Sequence, residues 1–136
     1  MAAETFLCLD YGTRRVGVAV GNTLMRLAQP LKTVAAVGDA RFAALQALID
    51  EWQPQALVVG VPFHPDGAVH ENTLRARRFA RQLHGRFALP VHEVDERYST
   101  TEALADGAPD ADAAAAAIIL NQFFNTLRDL ACDAAA

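Results

Sequence analysis

Acidic residues stand at three places in this chain where an apolar run stops or starts. Asp10 follows the first apolar run, Asp95 and Glu96 follow a later one, and Asp112 opens a run rich in alanine. Mg²⁺ prefers oxygen ligands and is commonly held by one or two carboxylates together with a substrate phosphate. Two such ions about 3.5 to 4 Å apart can activate water and stabilise the leaving oxygen of a phosphodiester. These residue types therefore indicate metal-assisted hydrolysis of a nucleic-acid backbone, if the fold brings them together.

Each acidic position also has a purely structural interpretation. A single aspartate at a strand end is usually a turn or capping residue, and Asp112 alone would most often cap a helix. Glu96 beside Arg97 would most often form a surface ion pair. Three neighbouring carboxylates repel one another, however, and a divalent cation relieves that repulsion. Only the joint placement of Asp10, Glu96 and Asp112 favours the catalytic interpretation.

Two groups of arginines offer candidate contacts to phosphate. Arg14 and Arg15 follow Gly12 in a predicted turn, and a second group, Arg75, Arg77, Arg78 and Arg81, lies in a predicted helix. Either group can instead be a set of solvated surface charges, and a solvated helix face is the favoured interpretation of the second. The formal net charge of −4 counts mildly against a general nucleic-acid binder, so any such contact must depend on local patches.

The composition is that of a globular chain. At 136 residues, with 52% hydrophobic and 21% charged residues, we expect one domain spanning 1–136. The two cysteines, Cys8 and Cys132, have neither metal-ligand nor disulfide-framework spacing, which favours a reducing cytoplasm. No run approaches the ~18 apolar residues of a membrane helix, so we expect no membrane partner.

Hydrophobic periodicity predicts an α/β fold. The predicted strands are Thr5–Leu9, Val16–Val20, Leu27–Val34, Ala56–Val61 and Pro90–Val94. Four helices are predicted. The first is capped by Asp39 and stopped by Pro54, and the second has Leu74, Phe79 and Leu83 facing inward. A short helix ends at Ala105, and a long one runs from Asp112 through Leu127. The order gives a mixed five-stranded sheet, an antiparallel three-stranded meander plus two parallel strands, with helices on both faces. Sites in such sheets collect beyond the carboxyl ends of the strands, where the acidic residues lie.

Three stretches of the chain carry a resemblance to a known family. "LDYGTRRVGVAV", "LVVGVPFHPDGAVHENTLRARRFARQLHGRFALPVHEVDERYSTTEA" and "DADAAAAAIILNQFF" together resemble the YqgF/RuvX family of Holliday-junction-resolvase-like proteins, also described as pre-16S rRNA nucleases. The resemblance spans nearly the whole chain in order, and its DER-x-ST and VG-x-P elements are fairly specific. It implies an RNase H-like fold and a metal-dependent endonuclease that matures the 5′ end of 16S rRNA within ribosomal precursors.

The resemblance also assigns roles to residues. The family's acidic residues correspond to Asp10, Glu96 and Asp112, which would be catalytic and would hold Mg²⁺ or Mn²⁺. Strand alternation turns Asp95 away from the face of Glu96, so Glu96 is the predicted member of the site. The arginines expected to contact the nucleic acid are Arg14, Arg15 and Arg97.

Some features leave alternatives open. The segment from Thr101 to Ala111 is shorter than in the family and contains no Lys or Arg, although the family usually has lysines there. A non-catalytic module that binds RNA or ribosome precursors, or a resolvase of branched DNA, therefore remains an alternative. The Asp-x-Gly-Thr turn also resembles the phosphate-binding hairpin of actin, hexokinase and Hsp70 ATPases, but those enzymes close two lobes over a nucleotide. Monomer and dimer are both compatible with the sequence.

Overall fold

The structure, a computed structural model, describes residues 4–63, 68–69, 71–97 and 110–135. Its strands are β1 (Thr5–Tyr11), β2 (Val16–Asn22), β3 (Gln29–Val34), β4 (Ala56–Phe63) and β5 (Val91–Arg97). Its helices are α1 (Gly38–Trp52), α2 (Glu71–Phe87) and α3 (Ala111–Ala135). The predicted short helix ending at Ala105 lies outside the described residues. No helix within the described ranges is both long enough and apolar enough to cross a membrane.

The five strands form one sheet in the order β3-β2-β1-β4-β5. Strand β1 pairs with β2, and β2 with β3, in antiparallel fashion, while β4 is parallel to both β1 and β5. The predicted α/β fold with a mixed sheet is therefore confirmed. Strand β3 lies at an edge of the sheet, where Pro30 is tolerated because a proline cannot donate a hydrogen bond to a further neighbouring strand.

Helices cover both faces of the sheet, and alternation along β1 shows how the core divides. Leu7 and Leu9 belong to a buried cluster with residues of α1 and α2. Phe6 and Cys8 belong to a second cluster with residues of α3. Since successive side chains on a strand point to opposite faces, Asp10 continues the face that α3 covers.

Two predicted details of the helices were wrong. Leu74 is 61% exposed, because it lies five residues before Phe79 and so falls outside the helical stripe that buries Ala76, Phe79 and Leu83. Asp39 does not cap α1: the capping position is Val37, which makes no side-chain hydrogen bond, and Asp39 lies in the first turn. Its carboxylate faces Arg86 of α2 instead, at 3.4 Å.

Candidate active site

Asp10 lies between two glycines on the neighbouring strands. It is opposite Gly17 of β2 and Gly60 of β4. A Cβ atom added at Gly60 would be 2.6 Å from Cδ1 of Ile119, and one added at Gly17 would overlap the main-chain carbonyl of Asp112. Both contacts are with α3, so this helix lies directly on the two strands that flank Asp10. The absence of a side chain at Gly17 allows the main chain of α3 to approach β2 this closely.

The contact at Gly17 brings the start of α3 close to Asp10. Paired residues of an antiparallel sheet share a face and have Cα atoms about 5 Å apart. The main chain of Asp112 occupies the space above Gly17, directly beside Asp10 on that face. Two of the three predicted acidic residues, Asp10 and Asp112, are therefore neighbours across the β2–α3 contact.

Asp110, rather than Asp112, caps α3. Its Oδ1 accepts a hydrogen bond from the N–H of Ala113 at 3.3 Å, and its carbonyl oxygen accepts one from Ala114 at 2.9 Å. The hydroxyl of Thr33 on β3 donates to the same carboxylate, which ties the helix start to the sheet. The capping interpretation of Asp112 is consequently excluded by geometry, because that role is filled two residues earlier.

The carboxylate of Asp112 faces an arginine of the β1–β2 turn. Nε of Arg15 is 3.3 Å from Oδ2 of Asp112, and the two side chains are 64% and 38% exposed. Exposed pairs of this kind contribute only about 0–1 kcal/mol and weaken as salt rises. Arg14, the next residue in the turn, is exposed and has no ion-pair partner among the described residues. The turn therefore presents two cations at the candidate site.

A buried arginine supports this turn from below. Arg41 of α1 is 5% exposed and donates from Nε to the carbonyl oxygen of Ala36 at 2.8 Å and from Nη2 to that of Thr13 at 3.3 Å. Its guanidinium also lies 5.6 Å from the ring centroid of Tyr11. Carbonyl acceptors and an aromatic face compensate a buried cation in part. Arg41 thus links α1 to the turn that carries Arg14 and Arg15.

Glu96 is placed by strand register. It lies in β5 opposite Pro62, two residues beyond Val94, which is opposite Gly60. By its position in the strand, Glu96 therefore belongs to the face of the sheet that α3 covers, whereas Asp95, opposite Val61, belongs to the other face. Strand spacings put the Cα atoms of Glu96 and Asp10 about 12 Å apart. The predicted end of this strand at Val94 was wrong, because β5 continues to Arg97.

The side chains of Glu96 and Arg97 are outside the part of the chain that the structure describes. Within the described part, no three His, Cys, Asp or Glu side chains are grouped closely enough to hold a metal ion. Asp10 and Asp112 are thus placed together, Glu96 is placed by its main chain, and the three-carboxylate site remains a prediction.

Three contributors to the site had little or no signal in the sequence. In the sequence, Arg41 looks like an ordinary polar residue of an amphipathic helix. Its contact with the β1–β2 turn depends on tertiary packing. Asp110 is separated from Asp112 by one alanine, so either residue fits a capping position equally well. Gly60 reads as the end of a strand, and its contact with Ile119 follows only from where α3 packs.

The chain matches the model of the RuvX family, described as Holliday junction resolvase, over residues 4–126. A protein of Albidiferax ferrireducens is 69% identical over 124 residues, covering 91% of this chain and 80% of the relative. One from Polaromonas sp. is 65% identical over 124 residues, covering 91% and 90%. Both are named "Putative pre-16S rRNA nuclease".

Solved structures share the fold at much lower identity. The structure described as T. thermophilus RuvC in complex with Holliday junction substrate superposes with a TM-score of 0.55 at 17% identity, covering 92% of this chain and 96% of that chain. A second Thermus thermophilus RuvC structure has a TM-score of 0.54 at 15% identity. The fold is accordingly RNase H-like, as RuvC is. The match over residues 4–126, with relatives that are 69% and 65% identical, shows that the chain belongs to the RuvX family.

Proposed function

We propose that this protein is a Mg²⁺- or Mn²⁺-dependent endonuclease that cleaves structured RNA at the 5′ end of pre-16S rRNA, within ribosomal precursors in the cytoplasm. The observation that carries the proposal is the packing of the Asp112 main chain against Gly17, directly opposite Asp10. This packing supports a shared site of Asp10 and Asp112 at the carboxyl end of β1, since sites of α/β folds collect beyond the carboxyl ends of the strands. Membership of a nuclease family, with relatives named as nucleases, supports phosphodiester hydrolysis as the reaction.

The residues present fit a divalent cation. Asp10 and Asp112 are oxygen donors from separate elements, and Asp112 is not used as a helix cap. The register of β5 puts Glu96 at a position of the same sheet face as Asp10. The distance between these two residues is one that a pair of cations about 3.5 to 4 Å apart can span. Asp10, Glu96 and Asp112 would therefore hold Mg²⁺ or Mn²⁺, which would supply charge stabilisation and an activated water.

The remaining residues of the site are suited to placing the substrate. Arg14 is exposed at the tip of the β1–β2 turn, and Arg15 lies against Asp112. Arginine donates two parallel hydrogen bonds to a phosphate, which orients as well as attracts it. Arg97 follows Glu96 directly and would contact a phosphate on the opposite side. Such contacts position the backbone without reading its sequence.

A cleavage assay with two substrates tests the proposal. The native chain is incubated with a precursor 16S rRNA fragment and with a four-way DNA junction, each in Mg²⁺, in Mn²⁺ and in chelator. We expect metal-dependent cleavage of the RNA near its mature 5′ end and little cleavage of the junction. Preferred cleavage of the junction would instead make the protein a branched-DNA resolvase. Tight RNA binding without cleavage in either metal would make it a non-catalytic binding module.

Arg15 and a divalent cation would compete for the carboxylate of Asp112. Replacing Arg15 by glutamine should therefore strengthen Mn²⁺ binding, by up to about five-fold, because an exposed ion pair contributes at most about 1 kcal/mol. Calorimetric titration of the full chain with Mn²⁺ measures this change. Arg14→Gln is the matched control, since it removes the same charge from the same turn without breaking the pair with Asp112. Equal effects of both substitutions would contradict a direct competition.

A further inference from the structure

A groove runs between α2 and the edge strand β5, away from the candidate active site. It has a volume of about 720 Å³ and lies on the face of the sheet opposite α3. The residues that line it are Arg77, Ala80, Arg81, His84, Pro90, Val91 and Glu93. Strand β5 pairs with β4 on one side only among the described residues, so the groove is open along the edge of the sheet.

The groove is predominantly basic although the chain is acidic overall. Arg77 is 3.8 Å from Glu93, the one acidic residue of the lining, and this pair largely cancels. Arg81 is exposed and has no ion-pair partner among the described residues. Arg78, one turn before Arg81 on α2, lies beside the groove rather than in its lining, and it is likewise exposed and without an ion-pair partner in the described part of the chain. Cations on successive turns lie about 5–6 Å apart, a spacing that suits consecutive phosphates of a nucleic-acid strand.

The groove also runs towards the carboxyl end of β5, although it lies on the sheet face opposite to that of Asp10 and Glu96. Glu93 lies in β5 three residues before Glu96, which corresponds to about 10 Å along the strand. A strand of nucleic acid held in the groove would thus follow the edge of the sheet to the carboxyl end of β5. This placement explains how an acidic protein could retain a polyanionic substrate, because the affinity would come from one continuous local path.

We propose that the groove between α2 and β5 binds the sugar-phosphate backbone of the RNA on one side of the cleavage position. The inference rests on the proposed nuclease function, which it extends with a substrate-holding surface remote from the carboxylates. Arg78 and Arg81 make the phosphate contacts. The surface holds RNA by charge, so it contributes affinity and direction but no sequence preference.

Binding to a labelled RNA hairpin with single-stranded flanks tests this surface. Fluorescence anisotropy is measured on the full chain in chelator over a range of KCl concentrations, so that the result does not depend on catalysis. We expect the double variant Arg78→Gln, Arg81→Gln to lower the slope of log Kd against log salt by about 0.7 for each lost contact. Each such contact is worth about five-fold in affinity over a ten-fold range of salt.

Two further variants make the test specific. The double variant Arg26→Gln, Lys32→Gln removes the same charge near β3, at the edge of the sheet opposite β5. Both residues are exposed there, and this variant should leave the slope nearly unchanged. Glu93→Gln should strengthen binding, because it removes the negative charge of the one acidic residue that lines the groove. An unchanged slope in the groove variant, an equal loss in the control, or weaker binding by Glu93→Gln would each overturn the proposal. If the native chain binds the hairpin through the groove but cuts no RNA, the proposed nuclease function is refuted and the proposed RNA-binding groove is not.

Discussion

Replacing Asp10 by asparagine is expected to reduce metal-dependent RNA cleavage by at least about 100-fold while leaving the fold intact. Loss of residues that only support metal ligands costs about 10- to 100-fold, so loss of a ligand itself should cost no less. Asparagine has the same shape as aspartate, which preserves the packing between Gly17 and Gly60. Single-turnover cleavage in Mg²⁺ and in Mn²⁺, together with thermal unfolding of the same samples, measures both parts of this prediction.

Asp50→Asn is the matched control for that substitution. Asp50 is an exposed residue of α1, on the opposite side of the sheet from α3, and its carboxylate accepts only a surface hydrogen bond from Gln46 at 2.8 Å. The control should cleave RNA at the native rate. Native-like cleavage by Asp10→Asn would remove this residue from the mechanism. A large loss of thermal stability in Asp10→Asn would show that its main role is structural.

Replacing Gly17 by alanine is expected to destabilise the protein and to impair cleavage together. The new Cβ would overlap the main-chain carbonyl of Asp112, and a main-chain atom cannot rotate aside as a flexible side chain can. The start of α3 must therefore shift away from β2, which moves Asp112 relative to Asp10. Overpacking of this kind typically costs about 1–3 kcal/mol. Urea unfolding measures the loss of stability. The rate at which the variant cleaves the precursor fragment shows whether the shift of Asp112 impairs the site.

Gly85→Ala is the matched control, with an expected effect of opposite sign. A Cβ atom at Gly85 in α2 would meet no atom within 4 Å apart from the adjoining backbone of its own helix. Alanine in a helix interior is favoured over glycine by about 0.5–1 kcal/mol, so this variant should be slightly more stable than the native chain. If Gly17→Ala were as stable as the native protein and equally active, the close contact between α3 and β2 would not exist.

The fold was predictable because the spacing of apolar residues along the chain depends on whether a segment is a strand or a helix. The apolar runs of β1, β2 and β4, separated by a Gly-bearing turn or by helical periodicity, indicated the mixed sheet. The alanine-rich run after Asp112 indicated the long helix α3, which packs closely on β2 at Gly17. The error at Leu74 arose because a hydrophobic residue was assigned to the buried stripe without the helical angle that separates it from Phe79.

The candidate site was predictable only in part, because its parts come from distant segments. Asp10 and Asp112 were selected by their positions at element ends, and the predicted topology placed them near each other. The support given by Arg41 and the cap formed by Asp110 depend on packing between elements, which residue spacing does not encode. Strand alternation correctly separated the parities of Asp95 and Glu96, since it follows from backbone geometry alone.

The most direct test of the shared metal site is a calorimetric titration with Mn²⁺ of the native chain and of three single variants, Asp10→Asn, Glu96→Gln and Asp112→Asn. We expect each variant to bind Mn²⁺ at least about ten-fold more weakly than the native chain, because each would lose one ligand or a contact that orients a ligand. Native affinity retained in all three variants would contradict a cation held jointly by these carboxylates.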